Sequence, residues 1–257
     1  MKTIVIVCAA MMNMMAGAPI AYAAAMEAEH PHQMEWKFDG VFGRFDKPSI
    51  QRGFQVYKEV CSACHSIKRL PFRQLGEVGF SDAEIKSLAS SYTINDGPND
   101  LGEMYERPGR PSDKIPSPFA NEQAARSANN GAYPPDMSLL IKARHDGANY
   151  IYSLLTGFNA PMPEGMEIPE GKHHNPFMAG QVIAMAAPLH DEGQVEYQDG
   201  TEATVEQMSM DVVNFLQWVA EPEMEQRKRM GIKVIIFLSI MTGLFYVAKK
   251  RIWSKLH

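Results

Sequence analysis

Five residues, Cys61-Ser62-Ala63-Cys64-His65, constrain this chain more tightly than anything else in it. Two thiols separated by two residues, with a histidine directly after the second, form the C-x-x-C-H pattern of covalent haem attachment. The spacing has a mechanical reason. Two thiols three positions apart can add to the two vinyl groups on one haem edge, and the next residue then points its imidazole at the iron. On this reading Cys61 and Cys64 anchor one haem c and His65 is its proximal ligand. A thiol–disulfide motif would call for a βαβ context, and a zinc site for two more ligands at close spacing. The sequence offers neither.

Both ends of the 257-residue chain carry membrane signals. Lys2, the apolar run from Ile4 to Met12, and Ala21-Tyr22-Ala23 form the three regions of a secretory signal peptide over residues 1–23. Its removal near Ala24 takes Cys8 with it and leaves Cys61 and Cys64 as the cysteines of the mature chain. The segment lacks the Arg-rich amphipathic pattern of a mitochondrial presequence, which favours bacterial export. The second signal is Met230–Ala248 (residues 230–248), apolar except for Lys233. At about 1.5 Å per residue it measures about 28 Å, close to a bilayer core of about 30 Å, and so reads as a transmembrane helix. Lys233 can snorkel to the headgroups, and Tyr246 and Trp253 suit the opposite interface. Basic residues flank both ends of the span, so charge alone does not orient it. The signal peptide does: residues 24–226 form an exported haem domain and residues 249–257 a cytoplasmic tail. The expected location is the bacterial inner (cytoplasmic) membrane, single-pass, with the haem domain on the periplasmic side.

Charge is unevenly spread. The net value is −5, yet all 30 acidic residues lie between Glu27 and Glu225. Residues 24–226 hold 16 basic against 30 acidic side chains, a net of −14, while the far C-terminal end is basic. Such a body suits a basic soluble protein partner at low ionic strength and excludes nucleic acid.

Helical periodicity surrounds the haem motif. Ile50, Phe54, Tyr57 and Val60 mark an amphipathic helix, started by Asp46 or Ser49, that leads into Cys61. Gly53 in its middle is unfavourable for a helix and suggests close approach by another element. Thr204-x-x-Gln207 opens a later helix carrying Val205, Met208, Val212, Phe215, Leu216 and Val219, stopped by Pro222. Ser81-x-x-Glu84 starts a short one, and Met137–Arg144 and Ala148–Leu155 suggest two more. Gln194–Tyr197 alternates as a strand would, with a turn at Asp199-Gly200. The stretches 95–135 and 157–200 are rich in Gly and Pro, and loops that long suit a domain whose core is a haem. The expected fold is mainly α, a c-type cytochrome with long haem-wrapping loops and one C-terminal transmembrane helix.

Spacing leaves the sixth iron ligand open. His145, His173, His174, His190 and several methionines are available, and a thioether raises the potential relative to a second imidazole. Ala160-Pro161-Met162-Pro163 looks like the ligand loop of small soluble cytochromes, and Met185 has no stronger claim on composition.

A run of collinear segments adds to this. It comprises Arg52–Cys61, Asn95-Asp96-Gly97-Pro98-Asn99, Arg107-Pro108-Gly109, Ala124–Ala132, Pro134-Pro135-Asp136, Ser153–Gly157, Ala220-Glu221-Pro222-Glu223 and Arg227–Gly231. Through them the chain from Phe42 to Ser254 resembles the cytochrome c1 family, the haem subunits of cytochrome bc1 complexes. The resemblance implies that Met185, in Gly180-Gln181-Val182-Ile183-Ala184-Met185, is the distal ligand. It also implies that Arg126 faces a haem propionate. The implied partners are cytochrome b, a Rieske iron–sulfur protein, a soluble c-type cytochrome and membrane lipid, in a complex expected to be dimeric. The implied role is a redox subunit of ubiquinol–cytochrome c reductase, not an enzyme on its own. Where the family has aromatics before Asn-Pro, this chain has His173-His174, read here as a solvated pair.

Overall fold

The computed structural model describes residues 27–191 and 193–254. The expected signal peptide and the last three residues lie outside them.

Helix α1, Lys47–Glu59, begins after Asp46 with Pro48 in its first turn, where a missing N–H costs nothing. Ile50, Phe54, Val56 and Tyr57 form its buried face. It ends at Val60, and the chain passes directly into a 3₁₀ turn at Cys61–Ala63.

The sequence-distant partner of α1 is the helix Val205–Ala220. Three shorter helices precede that partner: α2 at Asp82–Ser90, α3 at Glu122–Ala128 and α4 at Gly147–Thr156. Val205–Ala220 is therefore α5. Thr204 caps it by accepting from the Gln207 N–H, and Asp191 accepts from the Val205 N–H at 2.7 Å. Met208, Val213, Phe215 and Leu216 are fully buried on α5, each burial worth about 1.5–3 kcal/mol.

α1 and α5 cross at Gly53. A Cβ there would stand 2.0 Å from the Asp211 carbonyl oxygen, so only glycine permits the approach. Around the crossing, Ser49 Oγ donates to Asp211 Oδ1 at 2.6 Å. Arg52 donates to both Asp211 oxygens at 2.8 and 3.0 Å and to Asp199 at 2.8 Å. Asp211 is fully buried, so its charge depends on these donors. Phe215 lies 5.6 Å from the rings of both Phe54 and Tyr57.

α2 carries the full capping box at Ser81 and Glu84. Two small antiparallel pairs were not expected from the sequence. β1, Thr93–Asp96, pairs with β2, Tyr105–Pro108. β3, His173–His174, pairs with β4, Val182–Ile183. The first pair is braced at its base by side chains: Arg107 grips Asp113 at 2.6 and 3.0 Å and also bonds Asp96 at 2.5 Å.

Two local expectations fail for identifiable reasons. Met137–Arg144 is a 3₁₀ turn at Met137–Leu139 followed by further turns, not a helix. Its start is tied to the segment after the haem motif, with the Met137 N–H donating to Ser66 O and the Ser138 hydroxyl accepting from the Arg69 N–H, and the following N–H groups of Leu140 and Lys142 bond three residues back. Gln194–Tyr197 buries Val195 and Tyr197 alternately, as read, but forms no ladder. The Gln194 amide instead bonds the backbone of Pro188 and His190.

The N-terminal segment lies along α4. His32 N–H donates to Ser153 Oγ at 2.8 Å, and Trp36 Nε1 to Asn149 Oδ1 at 2.7 Å. Helix α6, Met224–Trp253, follows α5 after a three-residue break and runs 30 residues, about 45 Å. It is long and apolar enough to cross a membrane, and none of its apolar window is buried. Its first turn is stitched to the head: Met224 is buried, Arg227 and Lys142 share Glu221, and Glu225 accepts from the Phe45 N–H.

Candidate functional site

The site begins where α1 stops. The 3₁₀ turn at Cys61–Ala63 brings the Cys64 and His65 N–H groups onto the Cys61 carbonyl at 3.1 and 2.8 Å. The motif therefore leaves the helix as a tight knuckle. Cys61 is half-buried and Cys64 exposed, and neither is in a disulfide. Burial first, and then the neighbouring Cys64, push the Cys61 thiol up to about 12. A thiolate is disfavoured there, whereas an uncharged thioether suits the surroundings.

His65 is held by its ring. Its Nδ1 lies 2.9 Å from the Pro135 carbonyl oxygen. A carbonyl only accepts, so Nδ1 carries the proton and Nε2 keeps its lone pair. Burial lowers the His65 pKa, partly opposed by this hydrogen bond and by Asp136, so the neutral ring is favoured. That is the form a metal needs.

Asp136 braces the same knuckle from the other side. Its Oδ2 accepts from Ser66 Oγ at 2.8 Å and from the Lys68 N–H at 2.9 Å, and Oδ1 accepts from the Ser138 N–H at 3.0 Å. Burial opposes the charge, but the donors from Lys68, Ser138 and Ser66 outweigh it and hold the carboxyl below its ordinary range. The Tyr57 hydroxyl donates to the His65 carbonyl at 3.2 Å, which ties the motif back to α1. The roles of Pro135 and Asp136 are not visible from composition. The signal was Pro134-Pro135-Asp136 itself, two prolines that fix the direction of a carbonyl ahead of an acid suited to local capping.

The other sequence candidates sit on separate elements. Arg126 ends α3, with its guanidinium on Glu122 at 2.7 Å and on the Gly131 carbonyl at 2.9 Å, 5.6 Å from the Tyr133 ring centroid. The segment that follows it runs to Pro135, whose carbonyl meets the His65 ring, so one loop links the Arg126 turn to that contact. Met185 is half-buried in the bend after β4, while Met162 is 52% exposed. The two adjacent histidines are not a solvated pair. Alternation along β3 leaves His173 exposed and turns the His174 ring inward, both of its nitrogens buried without a hydrogen-bond partner. Among the described residues no group of three or more His, Cys, Asp or Glu could hold a separate metal ion.

Comparison with known proteins completes the picture. The model of the Cytochrome C1 family matches residues 36–256. The chain belongs to that family. Cytochrome c1 of Rhodospirillum rubrum is 46% identical over 257 residues, covering 93% of this chain and 94% of the relative. A cytochrome c1 heme protein of Arabidopsis thaliana is 52% identical over 221 residues, 85% of this chain and 71% of the relative. The "Cytochrome b/c1" of Bradyrhizobium diazoefficiens is 48% identical over 251 residues, and this chain spans 36% of its length. Membership in the cytochrome C1 family makes this a haem c protein with one C-terminal membrane helix. The residues present fit the group: two thiols on one knuckle, with a neutral imidazole whose far nitrogen is already protonated onto a carbonyl.

Proposed function

We propose that this chain is the electron-transfer subunit of a quinol–cytochrome c reductase, a cytochrome bc1 complex. It takes electrons from a Rieske iron–sulfur protein and passes them to a soluble c-type cytochrome, with cytochrome b as its membrane partner in a dimeric complex. The observation that carries the reading is the C-x-x-C-H knuckle at the end of α1, in a chain matched to the Cytochrome C1 family from residue 36 to residue 256.

Cys61 and Cys64 would hold the haem as thioethers, and His65 Nε2 and the Met185 sulfur would ligate its iron. When bound, the group supplies a one-electron couple at its iron. The protein's part is to fix and tune it. Pro135 sets the His65 tautomer and ring plane. Asp136 and Tyr57 immobilise the backbone on which His65 sits. Arg126 would compensate the charge of a haem propionate with a charge-assisted pair, in exchange for part of its contact with Glu122.

The domain reading follows: a signal peptide over 1–23, an exported head over 24–226, a span over 230–248 and a cytoplasmic tail over 249–257, with the head in the periplasm. A basic partner cytochrome meets an acidic face. Asp96 and Asp199 are already occupied by Arg107 and Arg52, whereas Asp100, Glu103, Glu106, Glu196 and Glu202 stand exposed for docking.

Two measurements test the reading. A reduced-minus-oxidised spectrum of gently purified protein should show b-type bands beside the c-type band; a pure c-type spectrum from intact membranes argues for a free-standing carrier. Met185→Leu should lower the potential sharply and abolish methionine-to-iron absorption, and Met162→Leu should do neither. The reverse pattern would overturn the ligand assignment.

A further inference from the structure

Among the described residues most large exposed apolar side chains lie on α6; Val41 and Phe42, at 63% and 82% exposed, are a neighbouring pair among those that do not. They form the tip of a short loop between the buried rings of Trp36 and Phe38, stacked 5.3 Å apart, and Phe45. The loop is rigidly built. Gly40 turns it at φ +68°, and a Cβ on Gly43 would stand 2.0 Å from the Asp39 carbonyl oxygen. A flexible surface loop has no reason to present two adjacent apolar side chains on so tight a frame.

Its position relative to the membrane helix is fixed by one side chain. Lys228 Nζ donates to Phe38 O at 2.5 Å and reaches Gly43 O at 3.5 Å, so both ends of the loop sit on the same ammonium. Lys228 precedes Met230, which begins the exposed apolar surface of α6, by two residues, a rise of about 3 Å. The headgroup layer on each face of a bilayer is about 5–8 Å thick, so the Lys228 backbone lies within it wherever α6 spans, and both loop ends are tied to that residue's ammonium. The cleft between loop and helix is lined by Asp39 and Asp146 as well as by Arg227 and Lys228. Both signs of charge at that level match a zwitterionic headgroup layer and not a purely acidic or basic protein face.

We propose that the Asp39–Gly43 loop is a second membrane contact, a foot whose tip, Val41 and Phe42, lies among the acyl chains of the phospholipid leaflet nearest the head. The proposal rests on α6 spanning a bilayer and on nothing in the redox assignment. The foot and α6 together give the head two points of attachment to the lipid surface.

The test uses the intact haem-loaded complex in phosphatidylethanolamine–phosphatidylglycerol vesicles. A nitroxide is placed at Phe42→Cys, and separately at Val41→Cys in case one site perturbs folding. Collision with dissolved oxygen and with a water-soluble nickel chelate is then measured. Ile236→Cys in the span and Glu196→Cys on the head serve as references. Position 42 should follow position 236, with oxygen contact exceeding chelate contact several-fold. Chelate contact equal to that at position 196 would place the tip in water and overturn the proposal. Loss of contact with both reagents would also overturn it, and would assign the tip to another protein subunit. Water-like behaviour at position 236 as well would show instead that α6 does not span.

Discussion

Gly53→Ala isolates the helix crossing on which the haem knuckle depends. The added methyl would stand 2.0 Å from Asp211 O, 2.5 Å from Asp211 C and 2.8 Å from Phe215 Cβ. Two of the three obstacles are backbone on a buried helix, so no rotamer change relieves them and α1 and α5 must move apart. Overpacking of this kind costs about 1–3 kcal/mol, and backbone obstruction puts it at the upper end. Separation also lengthens the Ser49 and Arg52 bonds to Asp211, at about 1 kcal/mol or more. Against this, alanine is better than glycine in a helix by about 1 kcal/mol. The net is a loss of about 2–3 kcal/mol, a fall in Tm of about 4–12 °C for a chain of this size. The assay is a thermal melt of the haem-loaded chain in detergent, followed by circular dichroism, with Gly76→Ala as control. At Gly76 a Cβ meets only Ile85 Cδ1, at 3.5 Å, so the control should stay within about 0.5 kcal/mol of wild type. A Gly53→Ala melt at or above wild type would mean that helix propensity outweighs the crossing, and the argument from close approach would fail.

Other expectations are as definite. Asp211→Asn strips the buried partner from Arg52. Removing one member of a buried pair costs about 3–5 kcal/mol, and because Arg52 keeps Asp199 the loss should be about 2–3 kcal/mol in a urea titration. Arg107 holds the Asp113 carboxyl at about 2, below its ordinary 3.8. The folded value is depressed, so the tie is complete above about pH 4 and is lost as pH falls towards 2; amide exchange at the base of the β1–β2 hairpin should rise across that window and not above it. Arg126→Gln removes an exposed pair worth at most about 1 kcal/mol, so stability should hold while the haem midpoint potential falls; an unmoved potential would make Arg126 a surface residue only. Electron transfer to a basic soluble cytochrome should slow steadily as ionic strength rises, and a flat salt dependence measured by stopped flow would remove the acidic docking face.

The parts of this fold that could be read from sequence are those governed by local rules. The apolar repeat of Ile50, Phe54 and Tyr57 and the Ser81–Glu84 box depend on neighbours within a turn, and each appears where the pattern put it. Gly53 was legible as a point of contact, but not as a contact with Asp211. What stayed hidden was set by partners far along the chain. Pro135 meets His65 across 70 residues, and the N-terminal segment reaches α4 through His32 and Ser153, 121 residues apart. Met137–Arg144 had helical spacing, yet its start is tied to the haem knuckle through the Met137 N–H on Ser66 O and the Ser138 hydroxyl on the Arg69 N–H, and the turns that follow close mostly three residues back. The inward turn of His174 follows from a two-residue strand that composition could not predict.

The joint between α5 and α6 has a consequence for how the molecule answers its membrane. Glu221 binds both Lys142 and Arg227, Lys228 holds the Phe38 carbonyl, and Met224 is packed into the head. Only Glu221-Pro222-Glu223 separates the helix that crosses α1 from α6, and these contacts brace that break on both sides. A bilayer thinner or thicker than the apolar length of α6 is accommodated by tilt. With a stiff joint, that tilt passes through α5 and α1 to the knuckle at Cys61. The angle of that knuckle to the membrane normal is then a function of bilayer thickness, as the angle of a flag is a function of its mast.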